Sequence, residues 1–175
     1  SGRVIDPSLG FTTDAYVLDS SLVSNAGVSI TASDTSSINA IVAALTASIA
    51  GGGVGVGVSI GGAFATNLIG SALNRAGVQA YVDGSTITAA GALTQTATAA
   101  ETIRAAVLAG SAAIAAGGVG VGVSGTGVLA INMITADIRA FVEGSTIHAG
   151  SVALKAEDTS RIMAFAGSAS VAVAL

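Results

Sequence analysis

Residues able to do chemistry are few in this chain of 175. It holds one histidine, His148, no cysteine, ten acidic and six basic side chains. A zinc site needs several Cys, His or carboxylate ligands, and a nucleophilic triad needs a base beside its nucleophile. His148 has no Cys or second His to join it. It follows the Ile of a Gly-Ser-Thr-Ile segment and reads as a surface strand residue. Asp83 and Glu143 follow matching segments, Ala80-Tyr81-Val82 and Ala140-Phe141-Val142. Stacked carboxylates could serve a glycosidase or hold Ca²⁺ at a turn. Leu18 takes their place in the first such segment, and no dense Asp cluster supplies the other oxygens calcium needs, so they read as solvated turn acids. Glu157 and Asp158 with Arg161 read as a surface charge group. The Gly-rich runs lack the lysine of a phosphate-binding loop. The expectation is no catalytic residue, no cofactor and no metal, with Ca²⁺ at turns as a minor alternative.

Composition narrows the class further. The net charge of −4 leaves no basic stripe to neutralise phosphates, which excludes nucleic acid as a partner. The absence of Cys excludes disulfides and thiol chemistry and fits an exported protein. No signal peptide opens the chain, and Ser1-Gly2 reads as a cloning scar. Hydrophobic residues make up 51% but aromatics only 3% and charged residues only 9%, so the apolar content is Ala, Val and Ile diluted by 24 Gly. Small side chains suit close, regular stacking of backbones better than a jigsaw of large residues. The single proline, Pro7, leaves the rest of the chain free of the strongest ladder breaker.

The elements that would position such residues recur. Ala15-Tyr16-Val17, Ala80-Tyr81-Val82 and Ala140-Phe141-Val142 are spaced by 65 and then 60 residues. Each leads into a matching stretch, Ser20-Ser21-Leu22, Ser85-Thr86-Ile87 and Ser145-Thr146-Ile147. The segment Gly52–Ser59 recurs as Gly117–Ser124, and Asn67-Leu68-Ile69 as Asn132-Met133-Ile134, again 65 apart. The five-residue shortening falls where Gly70–Ala76 gives way to Thr135-Ala136-Asp137, which marks a loop. The expected division is a lead-in at 1–14, repeats at 15–79 and 80–139, and a truncated repeat at 140–175 ending bare and apolar, as a cut end does.

Within a unit, the first half alternates apolar and polar residues around a Gly-containing turn, which predicts strand, turn, strand. Lys155 and Glu157 should share one solvent-facing side. The second half is uncharged from Thr35 to Asn74 and from Ala105 to Ala136. There Val54, Val56, Val58 and Ile60 lie at period two with Gly55, Gly57, Ser59 and Gly61 between them. One face is branched and the other nearly bare, and a bare face permits close approach of another sheet. Such a segment should need neighbours on both faces. Residues 38–50 and 103–116 are ambiguous: Ala and Leu favour helix, but Ala166–Val173 alternates. Strand is the reading adopted. The fold class is all-β, a β-solenoid or β-helix-like stack of about 60–65-residue units, with an α/β solenoid carrying one Ala-rich helix per unit as the alternative. The structural positions are Tyr16, Tyr81 and Phe141; Asn67 and Asn132, which could form an amide ladder; and Gly55, Gly57, Gly120 and Gly122.

The Gly-Val-Gly-Val-Gly-Val-Ser strand, the Asn-Leu/Met-Ile and Ala-Tyr/Phe-Val segments and Gly-Ser-Thr-Ile resemble repeats of giant bacterial secreted and surface proteins of the filamentous haemagglutinin, leukotoxin and autotransporter-adhesin kind. The resemblance covers about Ala15 to Leu175. It implies a β-solenoid stalk, an extracellular or cell-surface location and a role in adhesion or surface architecture. It carries no catalytic residues to transfer. The units exceed a simple β-helix rung, so each would be several rungs or a rung plus a projecting hairpin.

The functional expectation is a non-catalytic stalk, spacer or assembly module. Its partners would be neighbouring repeats, or further copies joined by edge pairing into oligomers or filaments. An enzyme of the polysaccharide-lyase β-helix type would need more charged residues for its cleft. The alternative function is a membrane-inserting pore or toxin segment, because Gly53, Gly57 and Gly61 are spaced like a helix-packing motif within an uncharged run. Missing basic flanks, missing aromatic belts and scattered Ser and Thr argue against a membrane.

Overall fold

A computed structural model describes residues 11–175, and all its regular structure is strand. Most of the lead-in, residues 1–10 with Pro7, lies outside the described residues. The strands are β1 (Thr12–Leu18), β2 (Ser21–Ser24), β3 (Val28–Asp34), β4 (Ser37–Ile69), β5 (Ala76–Asp83) and β6 (Thr86–Ala89). They continue as β7 (Ala92–Ala99), β8 (Thr102–Ile134), β9 (Ala136–Glu143), β10 (Thr146–His148), β11 (Ser151–Asp158) and β12 (Arg161–Ala174). They form four three-stranded parallel sheets, β1-β5-β9, β2-β6-β10, β3-β7-β11 and β4-β8-β12. The chain thus runs through four sheets, returns and lays each strand beside its predecessor. Four successive strands make one coil. The fold is all-β, has parallel sheets and no closed barrel, and is consistent with a β-solenoid-like architecture.

Register follows side-chain size. Tyr16 pairs with Tyr81 and Tyr81 with Phe141, while Ile38 pairs with Ile103 and Ile103 with Ile162. Alternation sends one residue in two inward, where Ile30, Val78, Val82, Ile87, Leu93 and Ala97 form a core in the three short-stranded sheets. The corner after β1, β5 and β9 needs a left-handed residue, supplied by Gly84 (φ 56°), Gly144 (φ 55°) and Asp19 (φ 46°). Asp is among the few non-Gly residues that tolerate that region. The following serines then join the coils: Ser85 Oγ accepts from the Ser20 amide and Ser145 Oγ from the Ser85 amide, both at 3.0 Å.

The ambiguous residues 38–50 and 103–116 lie inside β4 and β8, so the Ala-rich helix of the α/β alternative is absent among the described residues. Ladder pairing between coils outweighs the helix propensity of Ala and Leu. Gly53, Gly57 and Gly61 therefore lie on extended chain and make no helical stripe. Among the described residues no helix is long and apolar enough to cross a membrane, which says nothing of strands.

The 33 residues of β4 do not run straight. Ser59 Oγ donates to Thr46 Oγ1 at 3.0 Å, and in β8 Ser111 and Ser124 hydroxyls meet at 2.5 Å. Each long strand folds back on itself near Gly52 (φ 139°) and Gly117 (φ 157°). Its two arms lie face to face in a two-layer blade that projects from the coil. The ladders join each arm to the same arm of the next coil, so the projection is no hydrogen-bonded hairpin.

Candidate functional site

The blade interior is built from small residues. A Cβ on Gly55 would lie 2.7 Å from the Ala116 carbonyl oxygen, one on Gly57 3.0 Å from that of Ile114, and one on Gly120 2.9 Å from that of Ala115. The near arms leave no room for a side chain at Gly55 and Gly120, and at Gly57 one would fit only if the opposite arm gave way. Nearer the foot Ala63, Ala65, Val107 and Ala109 pack together, flanked by Val42, Ala44, Val128 and Ala130. Asn67 and Asn132 sit at the foot in register, and Asn67 Nδ2 donates to Asn132 Oδ1 at 2.8 Å.

The outer faces carry the large side chains. Leu45 is 86% exposed, Ile49 82%, Ile60 76% and Val54 70%. The bare face has the neighbour expected of it, namely the opposite arm. The expectation of neighbours on both faces is not met within this chain, because the branched face is open. Polar–apolar alternation here is inverted relative to an ordinary half-buried sheet.

On the first sheet the aromatic residues stack. Tyr16 and Tyr81 have ring centroids 5.3 Å apart and Tyr81 and Phe141 5.0 Å, with interplanar angles of 15° and 3°. Lys155 and Glu157 pair at 2.6 Å on an exposed face. His148 ends β10 beside Thr88, exposed and away from any acid pair. Asp83 and Glu143 are adjacent in register at the left-handed corner, with Leu18 completing the column. No group of three or more His, Cys, Asp or Glu able to hold a metal occurs among the described residues. A shallow groove of about 340 Å³ at the blade foot is lined by Asn39, Ile41, Arg104, Ala106, Met163 and Phe165. It offers one cation and no acid–base pair.

Two buried polar residues escaped sequence reasoning. Gln95 is fully buried in the core, where its amide nitrogen can donate to the carbonyls of Ala80 at 3.1 Å and Phe141 at 2.8 Å, bracing β7 against β5 and β9. Its only signal was a long amide at a place held by Ile30 and Leu154 in the flanking coils. Glu101 lies between β7 and β8, is 0% exposed, and neither carboxylate oxygen has a hydrogen-bond partner. Its backbone amide donates to Ser160 Oγ at 3.1 Å. Burial pushes its carboxyl up to about 7, with Asp34 and Asp158 adding to the rise. Those two acids are engaged otherwise: Asp34 Oδ1 accepts from the Ser36 amide and hydroxyl, and Asp158 Oδ1 from the Ser160 amide.

No protein-family model, curated protein or solved structure matches this chain. The site therefore rests on its geometry: in-register columns of stacked residues, a blade with a closed interior and open apolar faces, and one isolated buried carboxyl.

Proposed function

We propose that this chain is a non-catalytic structural segment, a stalk, spacer or assembly module built of stacked units of about 60–65 residues, from a large bacterial surface or secreted protein of the adhesin kind. The observation that carries this reading is the parallel in-register pairing in all four sheets, from Thr12 paired with Gly77 to Ala174 paired with Ala115. Each coil offers the next a template of backbone donors and acceptors, so length grows by adding coils while the cross-section stays fixed. The stacked Tyr16, Tyr81 and Phe141, the Asn67–Asn132 amide pair and the corner serines support it, since each column extends by repetition. The resemblance to haemagglutinin- and leukotoxin-type repeats adds the extracellular location and the role of projecting a binding site carried elsewhere.

Small-angle scattering tests the mechanical part. A version with residues 80–139 duplicated in tandem should lengthen by about 4.8 Å along one axis, the spacing of neighbouring strands, at unchanged cross-section. An equidimensional gain in size would sink the reading. Labelling of intact cells with an antibody against the chain tests the location, and signal appearing only after lysis would count against the surface assignment.

A further inference from the structure

The outer faces of the blade carry a chemical pattern that the stalk reading does not use. From Ile41 to Ile49 the outward positions are Ile, Ala, Leu, Ala and Ile, and from Val54 to Phe64 they are Val, Val, Val, Ile, Gly and Phe. The second coil repeats this with no polar side chain from Ala106 to Ile114 or from Val119 to Leu129 at outward positions. The hydroxyls of Thr46, Ser48, Ser59, Ser111 and Ser124 all turn inward, even though Ser48 Oγ finds no partner there. Water-facing sheets place polar side chains outside and apolar ones inside. Here the large apolar side chains lie outside and the few hydroxyls lie inside among Gly, Ala and Val, and Arg104 marks where charge returns at the foot.

We infer that the blade is a hydrocarbon-contacting element that seats its two apolar faces in a lipid layer. Two observations select this occupant over a second copy of the chain. Both faces are apolar over the same depth, and a lipid layer covers both at once, whereas a partner sheet covers one. Each uncharged arm spans ten residue steps, Ile41 to Gly51 and Val54 to Phe64, or about 33 Å of extended chain. That compares with about 30 Å of bilayer hydrocarbon. Backbone polarity inside the blade is satisfied where coils adjoin: β8 pairs with β4 along both arms and with β12 along Thr102–Ala115. The outer edges of β4 and β12 and of the second arm of β8 stay open, and unpaired backbone groups are costly in hydrocarbon, so insertion favours chains meeting edge to edge.

The test is flotation of the chain after dilution from denaturant into zwitterionic phosphatidylcholine vesicles. Three proteins are compared: wild type, the double variant Leu45→Glu with Val56→Lys, and Ala153→Lys on the outward side of β11 away from the blade. Leu45, Val56 and Ala153 are all exposed and face away from the core, so the ladders survive, and β circular dichroism checks that they do. Wild type and Ala153→Lys should float. The double variant should partition at least a hundred-fold less, as expected of two charges placed in hydrocarbon. Equal flotation of all three proteins, or none by wild type, overturns the inference. So does a wild-type oligomer without lipid affinity that the double variant converts to monomer, since that would show a second copy on the blade. None of these outcomes bears on rod length, so the stalk reading stands or falls separately.

Discussion

The carboxyl of Glu101 takes no hydrogen bond although the residue is fully buried, and burial with Asp34 and Asp158 nearby pushes it up to about 7 from 4.5. The folded state therefore holds its proton more tightly than the unfolded chain. The contribution of Glu101 to stability is fully present below about pH 4.5 and is lost as pH rises through about 7. The loss amounts to roughly 1–3 kcal/mol at about 1.4 kcal/mol per unit. Glu101→Gln should remove this slope and stabilise the chain at pH 8, as read from urea midpoints between pH 4 and 8; parallel slopes for both proteins would contradict it. The Asn67–Asn132 pair makes a second residue-scale prediction. Asn67→Leu or Asn132→Leu alone leaves a partly buried amide without its partner and should cost about 1–3 kcal/mol. The double change to Leu should lower the melting point by less than the two single changes together, with a coupling of about 1 kcal/mol. Additive effects would mean that the amide contact contributes nothing.

At the scale of the element, the blade depends on which glycines face inward. A methyl on Gly55 meets the Ala116 carbonyl oxygen, whereas nothing lies within 4 Å of one on Gly125. Gly55→Ala should cost about 1–3 kcal/mol by forcing the arms apart, while Gly125→Ala should be neutral or slightly stabilising because it restricts the unfolded chain. Denaturant unfolding decides, and equal effects would mean that the arms are not packed as described. The long uncharged run with Val at period two announced extended chain with one bare and one branched face, and both are present. That the run folds back and closes its bare faces on each other was not legible, because period-two alternation describes a single strand and not the return of its far half. Only contacts such as Thr46–Ser59 reveal the fold-back.

For the whole molecule, the outer strands of each sheet present unpaired ladders, which invite further strands. The chain should associate end to end in dilute buffer, giving scattering masses that rise with concentration. A proline at Thr31 in β3, an edge strand, should reduce association in that sheet if its amide points outward, and an unchanged concentration dependence would argue against edge pairing.

What the sequence by itself determined is the repeat register and the poverty of catalytic groups, while it left strand and helix both open at 38–50 and 103–116. Recurrent segments at fixed spacing stack on one another, and six basic and ten acidic residues with one histidine leave little with which to build a reactive centre. Tertiary structure alone decided three things. It buried Gln95 and Glu101, whose neighbours come from other coils and not from adjacent sequence. It set Asp19 in the left-handed corner shared with Gly84 and Gly144. It turned the branched faces of the blade outward, because close packing of two backbones selects the glycine faces for the inside and leaves the large side chains nowhere else to go.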